Sequence, residues 1–137
     1  MWGCATLRSM EHTEEARRVE EALREIGSAA HCTIAREQQV WARLSAEVDT
    51  RHDTVDDYTN DLGSRDYLEL AASMASTGLR HTILNELAPA DGRFRAATVE
   101  DNDGRLGRHF RIERHDGWWW HRRPSKGPLA DFLTPGG

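Results

Sequence analysis

A regular stripe of mostly apolar residues between positions 19 and 44 constrains the fold of this chain more than any other feature. Its members recur at alternating spacings of four and three, the period of a helical seam that packs on another helix. The stripe consists of Val19, Leu23, Ile26, Ala30, Thr33, Glu37, Val40 and Leu44, and Ile34, Trp41 and Val48 widen it on one side. Thr13 indicates a helix start because Glu14 and Glu15 follow in the first turn, where the helix dipole favours carboxylates. We therefore expect a helical arm over residues 13–50.

The length of this arm requires something to cover its apolar side. One unbroken helix over residues 14–48 would be about 50 Å long at 1.5 Å per residue, longer than a domain of this size is wide. Either the arm folds back as a hairpin near Gly27-Ser28, or two chains pair through it as a coiled-coil homodimer. A helix packed on its own domain is the third interpretation. The residues assigned to self-association or to a protein partner are Val19, Leu23, Ile26, Val40, Trp41 and Leu44.

Charge divides the 137-residue chain into an acidic front and a basic back. Residues 1–92 carry 9 basic and 17 acidic side chains, whereas residues 93–126 carry 9 basic and 5 acidic side chains. The net charge of −5 therefore conceals a positively charged C-terminal third. This distribution permits a polyanionic partner only at the C-terminal third, because the front of the chain repels one.

No segment of the sequence has the pattern of a targeting or membrane-spanning signal. No apolar run approaches the ~20 residues needed to span a bilayer, and Met1–Cys4 has neither a basic nor an apolar leader region. Two cysteines, Cys4 and Cys32, are too few for a disulfide framework or a four-thiolate metal site. We expect a soluble cytoplasmic protein with reduced thiols.

Two short helices are predicted after an acidic connector at residues 49–66. Ser64 is a suitable N-cap for a helix that continues to about Ser76. Leu79–Leu87 has the apolar spacing of a further helix, and Pro89 is expected to stop it.

The C-terminal third changes from a helical period to the alternation of half-buried strands. Arg93–Val99, Arg108–Arg114 and Trp118–Arg122 alternate in this way, with turn residues at Asp101–Gly104 and Asp116-Gly117 between them. These segments predict a three-stranded antiparallel meander.

The expected fold class is therefore α+β. It comprises a long N-terminal helix or helical hairpin, two short helices and the C-terminal meander. We divide the chain into a flexible N-terminus (1–12), the helical arm (13–50), a small α+β domain (51–123) and a tail (124–137).

One face of the predicted meander combines arginine with tryptophan. The register set by the two turns places on it Arg93, Arg95, Arg111, Trp118, Trp120 and Arg122. Aromatic planes among guanidinium groups suit single-stranded nucleic acid, whose bases stack and whose phosphates are neutralised. The first hypothesis is a non-enzymatic regulatory protein that binds RNA or DNA, with the four arginines on phosphates and Trp118 and Trp120 stacked on bases.

The same residues support other interpretations. Tryptophan and arginine are also favoured at protein interfaces, so the second hypothesis is a protein-interaction module that uses the tryptophans as a hydrophobic anchor. Trp118 and Trp120 could instead pack under the helices of their own chain, with the arginines paired to the acidic half.

Two segments resemble the polyketide-cyclase and dehydratase family, which has a cone-shaped fold. Asp61–Leu70 is similar to that family's early loop and helix, and Gly107–Arg122, which contains Asp116-Gly117-Trp118, is similar to its last hairpin. The resemblance implies a small-molecule-binding or enzymatic domain as the third hypothesis.

No catalytic, cofactor or metal site is assigned from the sequence. It contains no phosphate-binding glycine loop and no nucleophile elbow. His109 and His115 fall on one predicted face and His121 on the other, which argues against a shared set of metal ligands. We therefore expect a binding protein without a cofactor rather than an enzyme.

Overall fold

The computed structural model describes residues 2–50, 55–102, 104–106 and 117–133. These ranges contain five α-helices, two short strands and a 3₁₀ turn that leads into the second strand. The helices are α1 (Trp2–Glu25), α2 (Ile34–Glu47), α3 (Val55–Met74), α4 (Thr77–Ala97) and α5 (Pro128–Leu133); the strands are β1 (Thr98–Glu100) and β2 (Arg122–Pro124); the 3₁₀ turn is Trp118–His121.

The predicted fold class is wrong. The described part of the chain is mostly helical and contains one two-stranded antiparallel sheet, instead of a three-stranded meander behind a long N-terminal helix or hairpin. Most of the expected first strand, Arg93–Val99, belongs to α4, and the expected third strand, Trp118–Arg122, is largely the 3₁₀ turn. The expected middle strand, Arg108–Arg114, lies outside the described residues.

Helix α4 continues through Pro89 because its buried side extends on both sides of the proline. Leu79, Ile83, Leu87, Ala90 and Phe94 recur every three or four residues and are all buried. A proline inside a helix removes one backbone hydrogen bond and typically costs about 3 kcal/mol. Burial of Phe94, whose side chain is fully enclosed, offsets a similar amount. Packing therefore outweighs the local helix-stopping effect of Pro89.

Helix α3 replaces most of the predicted acidic connector. Although residues 55–66 contain four aspartates, Tyr58 and Leu62 occupy one side of the helix and are buried. Leu68 and Ala71 continue that side toward the end of the helix at Met74. The two shorter predicted helices are thus replaced by two long ones, α3 and α4, which pack on each other and on α2.

Two glutamates of α1 tie this helix to the starts of two others. Glu20 accepts the backbone N–H of Ile34 at 2.7 Å, at the beginning of α2. Glu15 accepts both the backbone N–H (2.6 Å) and the hydroxyl (2.7 Å) of Ser76, the N-cap of α4. These carboxylates satisfy amides that a helix start leaves unpaired. Helix α1 ends at Glu25, and Gly27 follows with a positive φ of 117° that favours glycine.

The core contains a charged cluster that joins α2, α3 and α4. The guanidinium of Arg65 binds Asp91 through two hydrogen bonds of 3.0 Å and donates a third, of 2.8 Å, to Glu69. The indole N–H of Trp41 donates to the same Asp91 at 2.8 Å. Burial works to lower the pKa of Arg65, but its hydrogen bonds to Asp91 and Glu69 outweigh this effect and raise it above the ordinary value. The Arg65 charge is therefore stable inside the protein.

The small sheet and the last helix close one end of this helical core. Glu100 pairs with Arg122 and Thr98 with Pro124 across β1 and β2, and the buried phenol of Tyr58 donates to the Arg122 carbonyl at 2.7 Å. Gly127 has a positive φ of 94° and approaches the backbone of Asp49 too closely for any side chain. This contact positions α5, which buries Leu129 and Leu133.

None of the helices in the described ranges combines the length and the apolar character needed to cross a membrane. The division of the chain into four segments stays a prediction.

Candidate binding cleft

The half-buried Trp118 lies in a cleft of about 370 Å³ where the end of α4, the start of β2 and the 3₁₀ turn meet. Three of the six residues predicted to bind nucleic acid line this cleft, together with four other residues. The Trp118 cleft is formed by Arg95, Glu100, Asp101, Asn102, Trp118, His121 and Arg122. Its volume lies within the range of small-ligand sites, which begins at roughly 300 Å³.

The guanidinium of Arg95 stacks on Trp118 inside this cleft. The distance from its central carbon to the ring centroid is 3.8 Å, well within the range of a cation–π contact. Trp118 in turn contacts Phe94, with ring centroids 6.0 Å apart, and meets Trp119 edge-on at 5.6 Å. Because Phe94 and Trp119 are core residues, the Trp118 ring is supported from below and Arg95 covers its outer side.

Within the part of the chain that the structure describes, the charge of Arg95 is not neutralised by a neighbouring acid. Among the described residues, no carboxylate oxygen lies within 4.0 Å of its guanidinium nitrogens. The side chain is exposed. Arg95 therefore presents a charged plane to solvent at the mouth of the cleft.

Arg122 holds the backbone beneath this stack. Its guanidinium donates to the hydroxyl of Thr98 (2.8 Å), to the carbonyl of Thr98 (2.9 Å) and to the carbonyl of Arg95 (3.2 Å). These bonds use Nε and Nη2, and no bond from Nη1 is seen among the described residues. Arg122 thus fixes the end of α4 and retains one donor group for a ligand.

The two acids of the cleft differ in their availability. The Asp101 side chain is buried, and its carboxylate accepts the backbone N–H groups of Arg105 (3.1 Å) and Leu106 (2.9 Å) and a bond from Arg123 (2.8 Å). Glu100 is exposed, and no hydrogen bond or ion pair of its side chain is seen within the described ranges. Glu100 is therefore the acid that can meet a ligand, whereas Asp101 is occupied in organising the loop after β1.

The 3₁₀ turn explains which residues face the cleft. Residues three apart lie on one side of such a turn, so Trp118 and His121 line the cleft together. Trp119 and Trp120 point inward, and their indole N–H groups both donate to Asp66, at 2.9 and 2.7 Å. In a β-strand, neighbouring tryptophans would point to opposite faces, and Trp118 and Trp120 would lie on the same face. The expected pairing is therefore replaced by one that includes His121, which the sequence reasoning missed.

The other predicted nucleic-acid residues lie elsewhere. Trp120 is buried among α3 contacts, and Arg93 is exposed at a separate groove between α2 and α4. Arg111 lies outside the described residues. The structure thus brings together Arg95, Trp118 and Arg122, and separates Arg93 and Trp120 from them.

Most residues predicted for self-association lie inside the chain's own core. Val19, Leu23, Trp41 and Leu44 are buried against the other helices, and Val40 is half-buried. Ile26 is 67 % exposed, just after the end of α1. The seam is covered within one chain, and pairing of two chains through it stays a prediction.

The segments that resemble the cyclase family fall in other surroundings. Asp61–Leu70 lies within the continuous helix α3, and Gly107–Asp116 lies outside the described residues. No group of three His, Cys, Asp or Glu side chains in the part of the chain that the structure describes is close enough to hold a metal ion.

Searches against protein-family models, curated proteins and solved structures find no match to this chain. The Trp118 cleft is therefore the feature from which a function can be inferred.

Proposed function

We propose that this protein is a small, non-enzymatic regulatory protein that binds single-stranded nucleic acid at the Trp118 cleft. The observation that carries the proposal is the stack of the exposed Arg95 guanidinium on Trp118 at 3.8 Å, with no neutralising carboxylate among the described residues. A cation on an aromatic plane suits both parts of a nucleotide, since bases stack on guanidinium and aromatic planes and phosphates bind the charge.

One nucleotide of the strand occupies the cleft in this proposal. Its base stacks on the Arg95 plane or displaces it to stack on Trp118, and its phosphate binds Arg95 together with Nη1 of Arg122. The volume of about 370 Å³ suits a single base with its sugar rather than a run of stacked bases. Burial of Trp120 supports the same limit, because that ring is not accessible to a second base.

The local charge supports binding of an anion despite the net charge of −5. Asp101 is paired with Arg123 at 2.8 Å, so among the described residues Glu100 is the remaining acid of the cleft, which it lines together with Arg95 and Arg122. Electrostatic attraction to phosphate is a local property that extends about 10 Å at 0.1 M salt. The proposal places the protein in the cytoplasm, where Cys32 remains a free thiol and single-stranded RNA is available.

A titration of fluorescently labelled seven-nucleotide RNA, followed by anisotropy at about 50 and 200 mM salt, tests the proposal. We expect binding that weakens with salt and that Trp118→Ala reduces roughly tenfold, the lower part of the range for loss of one stacked base. Absence of binding at the lower salt concentration contradicts the proposal.

Two arginine variants show whether the cleft is the site. Arg95→Ala is expected to weaken binding about tenfold or more. Arg93→Ala, on the same helix but at the groove between α2 and α4, tests the broader basic face predicted from the sequence. Arg43→Ala, an exposed position on α2, controls for the loss of one positive charge. Equal losses in all three variants would indicate a general charge effect and would contradict a site at Trp118.

A further inference from the structure

The Trp118 cleft contains the carboxylate of Glu100. A site that binds nucleic acid without regard to its bases would not be expected to have a carboxylate, because phosphate is negatively charged. Glu100 is exposed at the cleft, opposite Arg122 in the antiparallel pair of β1 and β2. No salt bridge joins Glu100 to Arg122 or to Arg95 among the described residues. Because a carboxylate repels phosphate, its presence weakens binding unless it accepts hydrogen bonds from the ligand.

The chemistry of the four bases decides which ligand group suits this carboxylate. An ionised carboxylate only accepts hydrogen bonds, and its two oxygens can accept two parallel N–H groups. The Watson–Crick edge of guanine presents two adjacent donors, N1–H and the N2 amino group. Adenine and cytosine present one donor group beside an acceptor, and uracil presents one donor between two acceptors. Guanine alone of the four matches both oxygens of Glu100.

The remaining groups of the cleft are compatible with a bound guanine. Arg95 and Trp118 provide the plane on which a purine, the larger type of base, stacks most extensively. Asn102 lines the same cleft and carries an amide that can donate to the O6 acceptor of guanine. Arg122 and the exposed His121 also line the cleft, so Nη1 of Arg122 and the imidazole remain for the phosphate.

We infer that the Trp118 cleft selects guanine in single-stranded RNA, and that Glu100 is the residue that determines this specificity. The inference rests on the proposed function, since it assigns the base that the same cleft takes. Glu100 acts by accepting N1–H and N2–H of guanine. Any other base pairs with at most one oxygen of the carboxylate, so it gains one hydrogen bond fewer against the same repulsion between Glu100 and the phosphate.

Four seven-nucleotide RNAs that differ only in the central base test this inference. UUUGUUU, UUUAUUU, UUUCUUU and UUUUUUU are titrated into the wild-type protein, Glu100→Gln and Glu47→Gln. Glu47 is an exposed residue at the end of α2, so its variant makes the same change of charge away from the cleft. We expect the wild type and Glu47→Gln to prefer the guanine oligonucleotide by about tenfold or more, as for one bidentate base contact. Glu100→Gln should lose this preference and bind UUUUUUU as well as the wild type does, or better.

The outcomes separate the two proposals. If the wild type binds all four RNAs equally, the assignment of guanine is wrong and the proposed function stands. If Glu100→Gln keeps the preference, another residue reads the base and the role of Glu100 is wrong. If the wild type binds none of them at about 50 mM salt, the proposed function itself fails.

Discussion

Two arginine–tryptophan pairs in this protein have the same contact and opposite surroundings. Arg65 lies 4.6 Å from the ring centroid of Trp119, and Arg95 lies 3.8 Å from that of Trp118. The Arg65 side chain is 5 % exposed and its guanidinium binds Asp91 and Glu69, whereas Arg95 is exposed and no carboxylate neutralises it in the described ranges. The comparison separates a pair that stabilises the fold from a pair that is available to a ligand.

The difference arises from where each arginine lies along its helix. Arg65 is in the middle of α3 and faces α4, so that Asp91 can reach it from the neighbouring helix. Arg95 is in the last turn of α4, where the helix gives way to β1 and the packing ends. Its guanidinium therefore has a tryptophan beneath it and solvent above. The same two residue types contribute to stability in one place and to the proposed binding in the other.

The largest expected effect is on protein stability, at the buried pair of Arg65 and Trp119. Asp91→Ala leaves the buried Arg65 with Glu69 as its one charged partner among the described residues, and it removes the acceptor of the Trp41 indole N–H. Breaking a buried ion pair in this way typically costs about 3–5 kcal/mol. Chemical denaturation should show this loss in the free energy of unfolding.

A matched variant distinguishes burial from charge in that experiment. Glu69→Ala removes the second carboxylate that binds Arg65. Because the Glu69 side chain is 56 % exposed, this variant should lower the free energy of unfolding by less than about 1 kcal/mol. Similar losses for Asp91→Ala and Glu69→Ala would contradict the description of Arg65 and Asp91 as a buried pair.

The next largest effect concerns Asp66, which orients two of the three consecutive tryptophans. Asp66→Ala removes the acceptor of the Trp119 and Trp120 indole N–H groups, which are part-buried. It should cost about 2–4 kcal/mol, since each of the two donors left unpaired costs roughly 1–2 kcal/mol, the lower part of the range for buried groups. Asp66→Asn retains a carbonyl oxygen and should lose less. Thermal unfolding followed by tryptophan fluorescence measures both variants, and a smaller loss for alanine than for asparagine would contradict this role.

Stability should also fall at alkaline pH because two phenols are buried. Burial raises the pKa of Tyr58 well above its ordinary value, and burial and the charge of Glu20 raise the pKa of Tyr67 to about 12. The unfolded chain releases these protons near pH 10, before the folded protein does. The stabilisation is therefore complete below about pH 10 and decreases above it, by about 1.4 kcal/mol per pH unit for each tyrosine.

Tyr67→Phe provides the control for the alkaline effect. It removes one titrating group and only a long hydrogen bond of 3.4 Å to the Cys32 carbonyl. Urea unfolding between pH 9 and 12 should show a slope about half that of the wild type. An unchanged slope would contradict the burial of the Tyr67 phenol.

The smallest effect on stability is expected at the open arginine–tryptophan pair, Arg95 and Trp118. Arg95→Ala removes an exposed cation–π contact, which contributes about 0.5–1 kcal/mol. The same substitution should nevertheless weaken RNA binding about tenfold, so stability and affinity separate at this position. A loss of stability as large as that of Asp91→Ala would place Arg95 among the structural residues and contradict the comparison.

The sequence predicts helical periodicity better than it predicts what each helix contacts. The spacing of residues 19–44 marks the buried sides of α1 and α2, but spacing alone does not distinguish cover by another chain from cover by α3 and α4. The sequence also carries a signal for the long helix α4, because Ala90 and Phe94 continue the spacing of Leu79, Ile83 and Leu87. Pro89 and the alternation of residues 93–99 favour a strand locally, and tertiary packing outweighs both.

The candidate site could be predicted only in part, for a related reason. Arginine beside tryptophan indicates a site for stacking and charge, and Arg95, Trp118 and Arg122 do lie together. Trp119 and Trp120 are turned into the protein, where Asp66, more than fifty residues away, binds their indole N–H groups, and Trp118 is left at the cleft. No local pattern indicates that contact. The same holds for the 3₁₀ turn, which places His121 beside Trp118 while Trp119 and Trp120 bind Asp66.

The most direct test of the comparison is an NMR titration of the wild-type protein with seven-nucleotide RNA that contains one guanine. The five tryptophan indole N–H signals and the arginine Nε–H signals are assigned by single substitutions. We predict saturable shifts for Trp118 and Arg95, with Trp119, Trp120 and Arg65 nearly unchanged. Shifts confined to other residues, or no saturable shift of Trp118 and Arg95, would contradict the assignment of the open arginine–tryptophan pair as the binding site.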